Sequence, residues 1–388
     1  MRIAYITDTY LPETNGIVAS ISRHMRLLVA RGHEFLVLCP RYGDDDPGDV
    51  DGITVHRYSA FGAPSNPDTH VALPWMPGMV RRLRAFSPNL VHVHTPLPIG
   101  LAGLSAARRL GVPLVQTYHS YVPGFLQYVR PSRVLGLDRA PRRVHETSWG
   151  RFLTRSVYDR ADLVLAPSEA LCDVLRATGV KPEVRYQTNG MDLEEFPPKT
   201  DWSVRRCVMH SGRLGFEKNA EVVAEAFARF GADRPGWTLH FMGEGPAKPY
   251  IESLIARLGI ADRVRWEGFV SREHLAESYR DADIYATAST IETQGLVVLE
   301  AMASGTPVVG VDALAVPEMA RDGRDGIIVP PYDPEAMAAG LARLADDVDL
   351  RERMGRACID DVRAHELSAA VDRLERTYEN LLDRTAHN

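Results

Sequence analysis

The sequence predicts an α/β protein built from two doubly wound, Rossmann-like domains that face a central cleft. Three observations carry this prediction. Short apolar runs alternate with amphipathic helical patterns along nearly the whole chain. Those runs are numerous enough for two parallel sheets, each covered by helices on both faces. The alternation also breaks and restarts near the middle of the chain. At 388 residues the chain is too long for one ordinary core and suits two.

In the first half the expected strands are Ile3–Thr7, Phe35–Leu38, Leu90–His94, Leu114–Tyr118 and Leu163–Ala166. In the second half they are Cys207–Ser211, Thr238–Met242, Val264–Trp266, Ile284–Ala286 and Val308–Val311. Helices lie between them. In Ile17–Ala30 the residues Ile17, Val18, Ile21, Met25 and Leu28 share one face, and in Ala220–Phe230 so do Val222, Val223, Ala226, Phe227 and Phe230. Residues 187–200 carry Asn189-Gly190 and Pro197-Pro198 and interrupt the pattern as a linker. An N-terminal domain is therefore expected over 1–186 and a C-terminal domain over 201–368. The terminal helix, Ala369–Arg384, follows the last αβ unit, and residues 369–388 can pack back on the first domain. Parallel sheets bind ligands beyond the carboxyl ends of their strands. Two such domains offer a donor wall and an acceptor wall.

Bulk properties exclude several classes. A net charge of −6 gives no reason to expect nucleic acid as a partner. The four cysteines, Cys39, Cys172, Cys207 and Cys358, form no C-x-x-C pair, which speaks against a disulfide framework or a zinc site. No apolar run reaches the ~18 residues of a membrane span. The opening segment, Arg2 to Tyr10, carries Asp8 and has no cleavage site, so it does not read as a signal peptide. The expected location is cytoplasmic, with room for attachment to the inner face of the membrane.

The strongest chemical signal runs from Glu292 to Glu300. Two glutamates straddle Gly295 at the start of an apolar helix that ends at Gly305. The helical rise allows up to roughly 12 Å between them, comparable to the span from the hexose to the ribose of a nucleotide sugar. Backbone N–H groups around Gly295 and Leu296 can meet sugar hydroxyls or phosphate oxygens. The plainer reading is that Glu292 complements the helix dipole and Glu300 sits on a solvated face.

The second signal is Ser211-Gly212-Arg213-Leu214 followed by Glu217-Lys218-Asn219. A strand ends, a glycine turn follows, and two cations precede a helix. Fixed positive charge and N–H donors suit a diphosphate leaving group, and they can replace a metal in stabilising its charge. The alternative is an ordinary surface arginine and lysine. Gly16 would let backbone approach a phosphate, or would simply serve a turn. His119, at the end of the strand Leu114–Tyr118, is placed to meet a sugar hydroxyl, or is structural. His92 and His94 read as structural. Asp281 and Asp283 imitate a D-x-D metal motif but read as connection residues. Gly243 and Gly245 resemble part of a dinucleotide loop without its third glycine. No metal and no cofactor is expected.

Taken together, these residues resemble glycosyltransferase family 4, the retaining enzymes of GT-B fold, and the resemblance covers essentially the whole chain. It implies that Arg213 and Lys218 bind the diphosphate, with Gly16 approaching it from the first domain. It implies that Glu300 holds the ribose hydroxyls. Glu292 and the backbone at Gly295 and Leu296 would hold the transferred sugar, and His119 would contact that sugar from the acceptor side. Val270, in Gly268-Phe269-Val270, would meet the nucleobase through its backbone. Many members have two glycines in the first loop, where this chain has Asn15 before Gly16.

The branch that looks most similar is the bacterial diacylglycerol glucosyltransferases, through Thr293-Gln294-Gly295, His94-Thr95-Pro96 and Thr117-Tyr118-His119-Ser120. Mannosyltransferases of lipid and inositol acceptors share several of these features. The implied reaction moves glucose from a UDP sugar to diacylglycerol or a related lipid. A soluble acceptor, a mannosyl donor, a nucleotide-sugar epimerase and a non-catalytic sugar-nucleotide sensor are the alternatives. The residues themselves add support for an anionic membrane surface. Between Ser120 and Arg160 eight arginines face three acids, a net +5, with Phe125 among the interleaved aromatics. Trp75 precedes Arg81, Arg82 and Arg84.

Overall fold

The computed structural model describes residues 1–13, 15–43, 46–49, 52–63, 66–119 and 148–386. The chain divides into two compact units, Met1–Gly190 with Leu367–Asn388, and Met191–Glu366. Each is an α/β unit around its own parallel sheet.

In the first unit, β1 (Arg2–Ile6), β2 (Glu34–Pro40) and β3 (Ile53–Tyr58) form one side of the sheet. The hairpin β4 (Ala60–Ala63) and β5 (Asn66–Ala72) stands apart as an antiparallel pair. The strands β6 (Leu90–Val93), β7 (Leu114–Thr117), β8 (Leu163–Ala166) and β9 (Glu183–Tyr186) form the other side. The order is β3-β2-β1-β6-β7-β8-β9. All of its pairings are parallel. Winding therefore reverses between β1 and β6. The helix Gly16–Ala30 buries Val18, Ile21, Met25 and Leu28. The last helix, Leu367–Ala386, belongs to this unit. It sets Leu367, Val371, Leu374, Tyr378 and Leu381 into the core that holds Ile3, Tyr5 and Ile21. Those five positions follow the helical repeat, so one stripe faces inward.

The second unit contains β10 (Cys207–Ser211), β11 (Thr238–Met242), β12 (Val264–Gly268), β13 (Ile284–Ala286), β14 (Val308–Val311) and β15 (Gly326–Val329). Their order is β12-β11-β10-β13-β14-β15, again parallel throughout. Winding reverses between β10 and β13. The helix Ala220–Gly231 buries all five residues predicted for its inner face. In a doubly wound sheet the crevice at such a reversal is where ligands bind. It opens here between the loops that follow β10 and β13, which carry the two strongest sequence signals.

Two glycines hold the loop after β10 in place. A Cβ at Gly243 would lie 2.2 Å from the Gly212 carbonyl oxygen, and one at Gly245 would lie 2.4 Å from that of Leu214. Backbone bonds cross the same contact, from Gly212 N–H to the Met242 carbonyl and from Leu214 N–H to the Glu244 carbonyl, both 2.9 Å. The Gly243-Glu244-Gly245 turn is a packing device for the neighbouring loop, which accounts for its partial likeness to a dinucleotide loop.

Candidate active site

Beyond β10 the chain turns at Gly212, whose φ of +113° is a glycine conformation. A short helical turn, Phe216–Lys218, then ends at Asn219. Asn219 adopts φ +50°, the left-handed region that asparagine tolerates better than most residues. Its side-chain amide donates to the Ala288 carbonyl at 3.1 Å and lies 3.3 Å from the Thr290 hydroxyl. Asn219 thereby ties the loop after β10 to the loop after β13, which brings Lys218 to Glu292.

The Lys218 ammonium donates to Glu292 Oε1 at 2.6 Å, and both side chains are largely buried. Burial pushes the Glu292 carboxyl up, but the adjacent Lys218 charge and its hydrogen bond outweigh it, and the net shift is downward. Glu292 is therefore an anion. Beneath the pair lies His210, buried on β10 with Nδ1 2.8 Å from the Ala286 carbonyl oxygen. Burial lowers its pKa to about 4, so the ring is neutral at physiological pH. Arg213 is half exposed and pairs at 2.5 Å with Glu217, whose carboxylate is almost fully buried. Two cations thus stand at the crevice, each backed by a buried carboxylate that fixes its position.

Gly295 takes φ +78° and opens the helix Leu296–Ala303. Its carbonyl accepts from Val298 and Leu299. Glu300 lies inside that helix and is buried. Its Oε1 accepts from Arg272 at 2.9 Å and its Oε2 lies 3.0 Å from the Tyr279 hydroxyl. The solvated-face reading of Glu300 is thus wrong, because burial demands these partners. Val270 is half buried in the loop after β12, while Phe269 beside it is 85% exposed.

Arg213, Lys218, Val270, Glu292, Gly295, Leu296 and Glu300 all belong to the second unit. Asp283, near them in sequence, serves the framework. It accepts from the backbone N–H groups of Arg205 and Cys207 and pairs with buried Arg351. Asp281 is exposed and pairs with Arg205.

Gly16 and His119 belong to the first unit. Gly16 opens the helix Gly16–Ala30 and is exposed. Asn15 caps that helix, its Oδ1 accepting from Val18 N–H at 3.0 Å. The residue standing at the place of the family's earlier glycine therefore satisfies a helix terminus. His119 follows β7, with Nε2 3.0 Å from His94 Nδ1 and the two rings stacked. Burial lowers the His119 pKa to about 3, so the ring is neutral at physiological pH. His92 is enclosed between the Tyr378 and Thr117 hydroxyls, each at 2.6 Å.

Trp75 is 77% exposed, with Leu73 also exposed nearby in the chain. Arg81 and Arg84 are exposed on the helix Met79–Phe86, while Arg82 is half buried and donates to the Pro77 carbonyl. Phe125 and the arginines from Arg130 to Arg143 lie outside the described residues. Arg151 and Arg155 flank the exposed Phe152 on the helix Ser148–Tyr158. Sequence reasoning missed His210, Glu217, Asn219, Arg272 and Tyr279 as parts of the site. Glu217 and Asn219 lie inside the motif it singled out, and the other three carried no local signal.

Comparison with known proteins gives matches over both units. The family model described as Glycosyltransferase Family 4 matches residues 14–195, and the model described as Glycosyl transferases group 1 matches residues 194–361. A GDP-mannose-dependent alpha-mannosyltransferase of Mycobacterium tuberculosis is 32% identical over 345 residues, covering 85% of this chain and 84% of that protein. An alpha-monoglucosyldiacylglycerol synthase of Streptococcus pneumoniae is 27% identical, covering 80% and 70%. Among solved structures, a sucrose-phosphate synthase from Thermosynechococcus elongatus superposes with a TM-score of 0.78 at 21% identity, covering 99% of each chain.

Proposed function

Because this chain belongs to the family 4, group 1 glycosyltransferases, we propose that it moves a hexose, with retention, from a nucleotide-diphosphate sugar to a hydroxyl of a membrane lipid. The observation that carries the reading is the pair of anchored cations, Arg213 and Lys218, beside the anionic Glu292 at the β10–β13 reversal. Negative charge grows on the departing diphosphate, and preorganised cations stabilise it. Glu292 stands where a sugar hydroxyl can donate to it. Glu300, further along, receives the ribose. In same-face displacement the departing phosphate takes the proton of the incoming hydroxyl, so no protein nucleophile is required. Positioning and charge supply the catalysis, with no divalent ion.

The two glutamates are expected to fail differently. Glu300→Ala should weaken binding of the free nucleoside diphosphate roughly tenfold or more, as for loss of a hydrogen bond to a charged group. Glu292→Ala should leave that affinity nearly intact and impair transfer. Calorimetry with the nucleoside diphosphate and turnover with the sugar donor measure the two effects. Equal losses of affinity in both variants would count against this division of roles.

UDP-glucose is the donor that the resemblance implies. GDP-mannose is the second reading, favoured by the name of the M. tuberculosis relative and its higher identity. Exposed Trp75 and Leu73 with Arg81 and Arg84 support a lipid acceptor, as does the name of the S. pneumoniae relative. No helix among the described residues is long and apolar enough to cross a membrane, so attachment would be peripheral. Each arginine near an anionic surface contributes about 1 kcal/mol. Co-sedimentation with anionic vesicles should therefore weaken with salt and with joint replacement of Arg81, Arg82 and Arg84. The deciding experiment offers UDP-glucose and GDP-mannose with diacylglycerol vesicles or water-soluble alcohols, and reads product mass and anomeric configuration. Efficient transfer to a soluble alcohol by a protein that ignores vesicles at low salt would overturn the lipid reading. Sugar interconversion without an acceptor would point to an epimerase.

A further inference from the structure

Arg272 sits where helix electrostatics disfavour it. It is the first residue of the helix Arg272–Asp281, behind the cap Ser271. A cation in a helix's first turn opposes the dipole. A local rule broken in this way is offset elsewhere, commonly at a functional site. Here the offset is visible. One arm of the guanidinium donates to Glu300 Oε1 at 2.9 Å and the other to Glu195 Oε2 at 2.6 Å. Its face lies 4.7 Å from the ring centre of buried Phe196. Two carboxylates and an aromatic face therefore fix the guanidinium in the planar geometry that arginine offers and lysine does not.

The other oxygen of Glu300 is fixed as well. The Tyr279 hydroxyl lies 3.0 Å from Oε2 and 3.2 Å from the Val297 carbonyl oxygen and shares its one hydrogen between these two acceptors, so the Ser211 hydroxyl, 2.5 Å away, donates to the tyrosine oxygen. Arg272 on one oxygen and Tyr279 on the other set the plane of the carboxylate. A ribose cis-diol offers two hydroxyl hydrogens, the complement of a carboxylate held in this plane. Arg272 also stands two residues after Val270, in the loop to which the resemblance gives the nucleobase, so one side chain links that loop to Glu300.

We propose that Arg272 is a positioning residue for nucleotide binding: bridged between Glu195 and Glu300, it orients the Glu300 carboxylate toward the ribose diol of the donor. The proposal rests on the reading of Glu300 as the ribose acceptor. It predicts that Arg272 acts on affinity only through the 2′ and 3′ hydroxyls. A merely structural role would weaken every nucleotide alike.

The test is calorimetric titration of UDP and GDP, and of their 2′,3′-dideoxy forms, into the full chain. Wild type is compared with Arg272→Met, Arg272→Lys, Glu195→Gln and Glu300→Gln. Arg272→Met is expected to weaken the preferred ribonucleotide roughly tenfold and its dideoxy form by less than about twofold. Arg272→Lys should recover part of the loss, since an ammonium can reach one carboxylate but cannot span both in a fixed plane. Glu195→Gln changes only the far end of the bridge. It should show the same selective loss on a smaller scale, and it decides the matter if Arg272→Met does not fold. Equal losses for the ribo and dideoxy forms, or no loss in either arginine variant, overturn the proposal. The underlying reading fails separately: if Glu300→Gln leaves ribonucleotide and dideoxynucleotide affinities unchanged, Glu300 does not receive the ribose. If Glu300→Gln removes the preference for the ribonucleotide while the Arg272 and Glu195 variants keep it, only the role of Arg272 is lost.

Discussion

Alanine at Lys218 is expected to cut turnover by about 10²-fold or more, the size of effect seen when one preorganised charge-stabilising group is lost. Two consequences add. On the proposed reading, the diphosphate loses a cation that Glu292 holds at 2.6 Å. Glu292, almost entirely buried, loses the charge that keeps it ionised, and an uncompensated buried carboxylate is costly. Arg213→Ala should approach the same loss of turnover by a cleaner route, because the Arg213 side chain is half exposed. It leaves Glu217 without its cation, so thermal stability should be followed alongside turnover. A double-mutant cycle separates the terms for lysine. If Lys218 and Glu292 act as one unit, Lys218→Ala and Glu292→Ala together should cost far less than the sum of the single changes. Full activity in both Lys218→Ala and Arg213→Ala would remove the diphosphate assignment.

The second large effect is on stability. Arg351 is 1% exposed and lies 3.5 Å from Asp283, itself nearly fully buried. It also donates to the carbonyls of Leu344 and Trp202. Truncating one partner of such a pair leaves the other buried and unpaired, at a cost of about 3–5 kcal/mol. Arg351→Ala should therefore lower the denaturant midpoint strongly, and adding Asp283→Asn should recover part of the loss, since the amide removes the unpaired buried charge while its oxygen can still accept from the backbone N–H groups of Arg205 and Cys207. The same geometry bears on chemistry. Asp283 spends its oxygens on two backbone N–H groups and on Arg351. Activity should accordingly survive a strong chelator. Complete inactivation, restored by a divalent ion, would instead return Asp281 and Asp283 to consideration as ligands.

Local pattern foresaw the central strands of both sheets and the helices between them, because a buried parallel strand must be apolar on both faces. It gave no strand at β3, β9 or β15, which lie at sheet edges. β3 and β9 are only partly buried, whereas β15 is mostly buried but a run of only four residues, Gly326–Val329. Glu183 and Arg185 in β9 interrupt the apolar run that marks a buried strand. The terminal helix was visible from its periodicity. Its membership of the first unit depends on contacts of Tyr378 and Leu374 with residues more than 350 positions earlier.

For the site, the sequence by itself determined the ingredients. Two cations before a helix, two glutamates around a glycine, and the glycines that bend each loop are local patterns with local physical reasons. Tertiary structure alone decided which of them meet. Lys218 and Glu292 are 74 residues apart and join only because β10 and β13 are neighbours at the reversal of winding and Asn219 ties their loops. It also decided what each charge is backed by: Glu217 behind Arg213, Arg272 and Tyr279 on Glu300, His210 beneath the ion pair. A buried charge takes its partner from whatever the fold brings within hydrogen-bond reach, and that distance is set by sheet order, which no local stretch of sequence encodes.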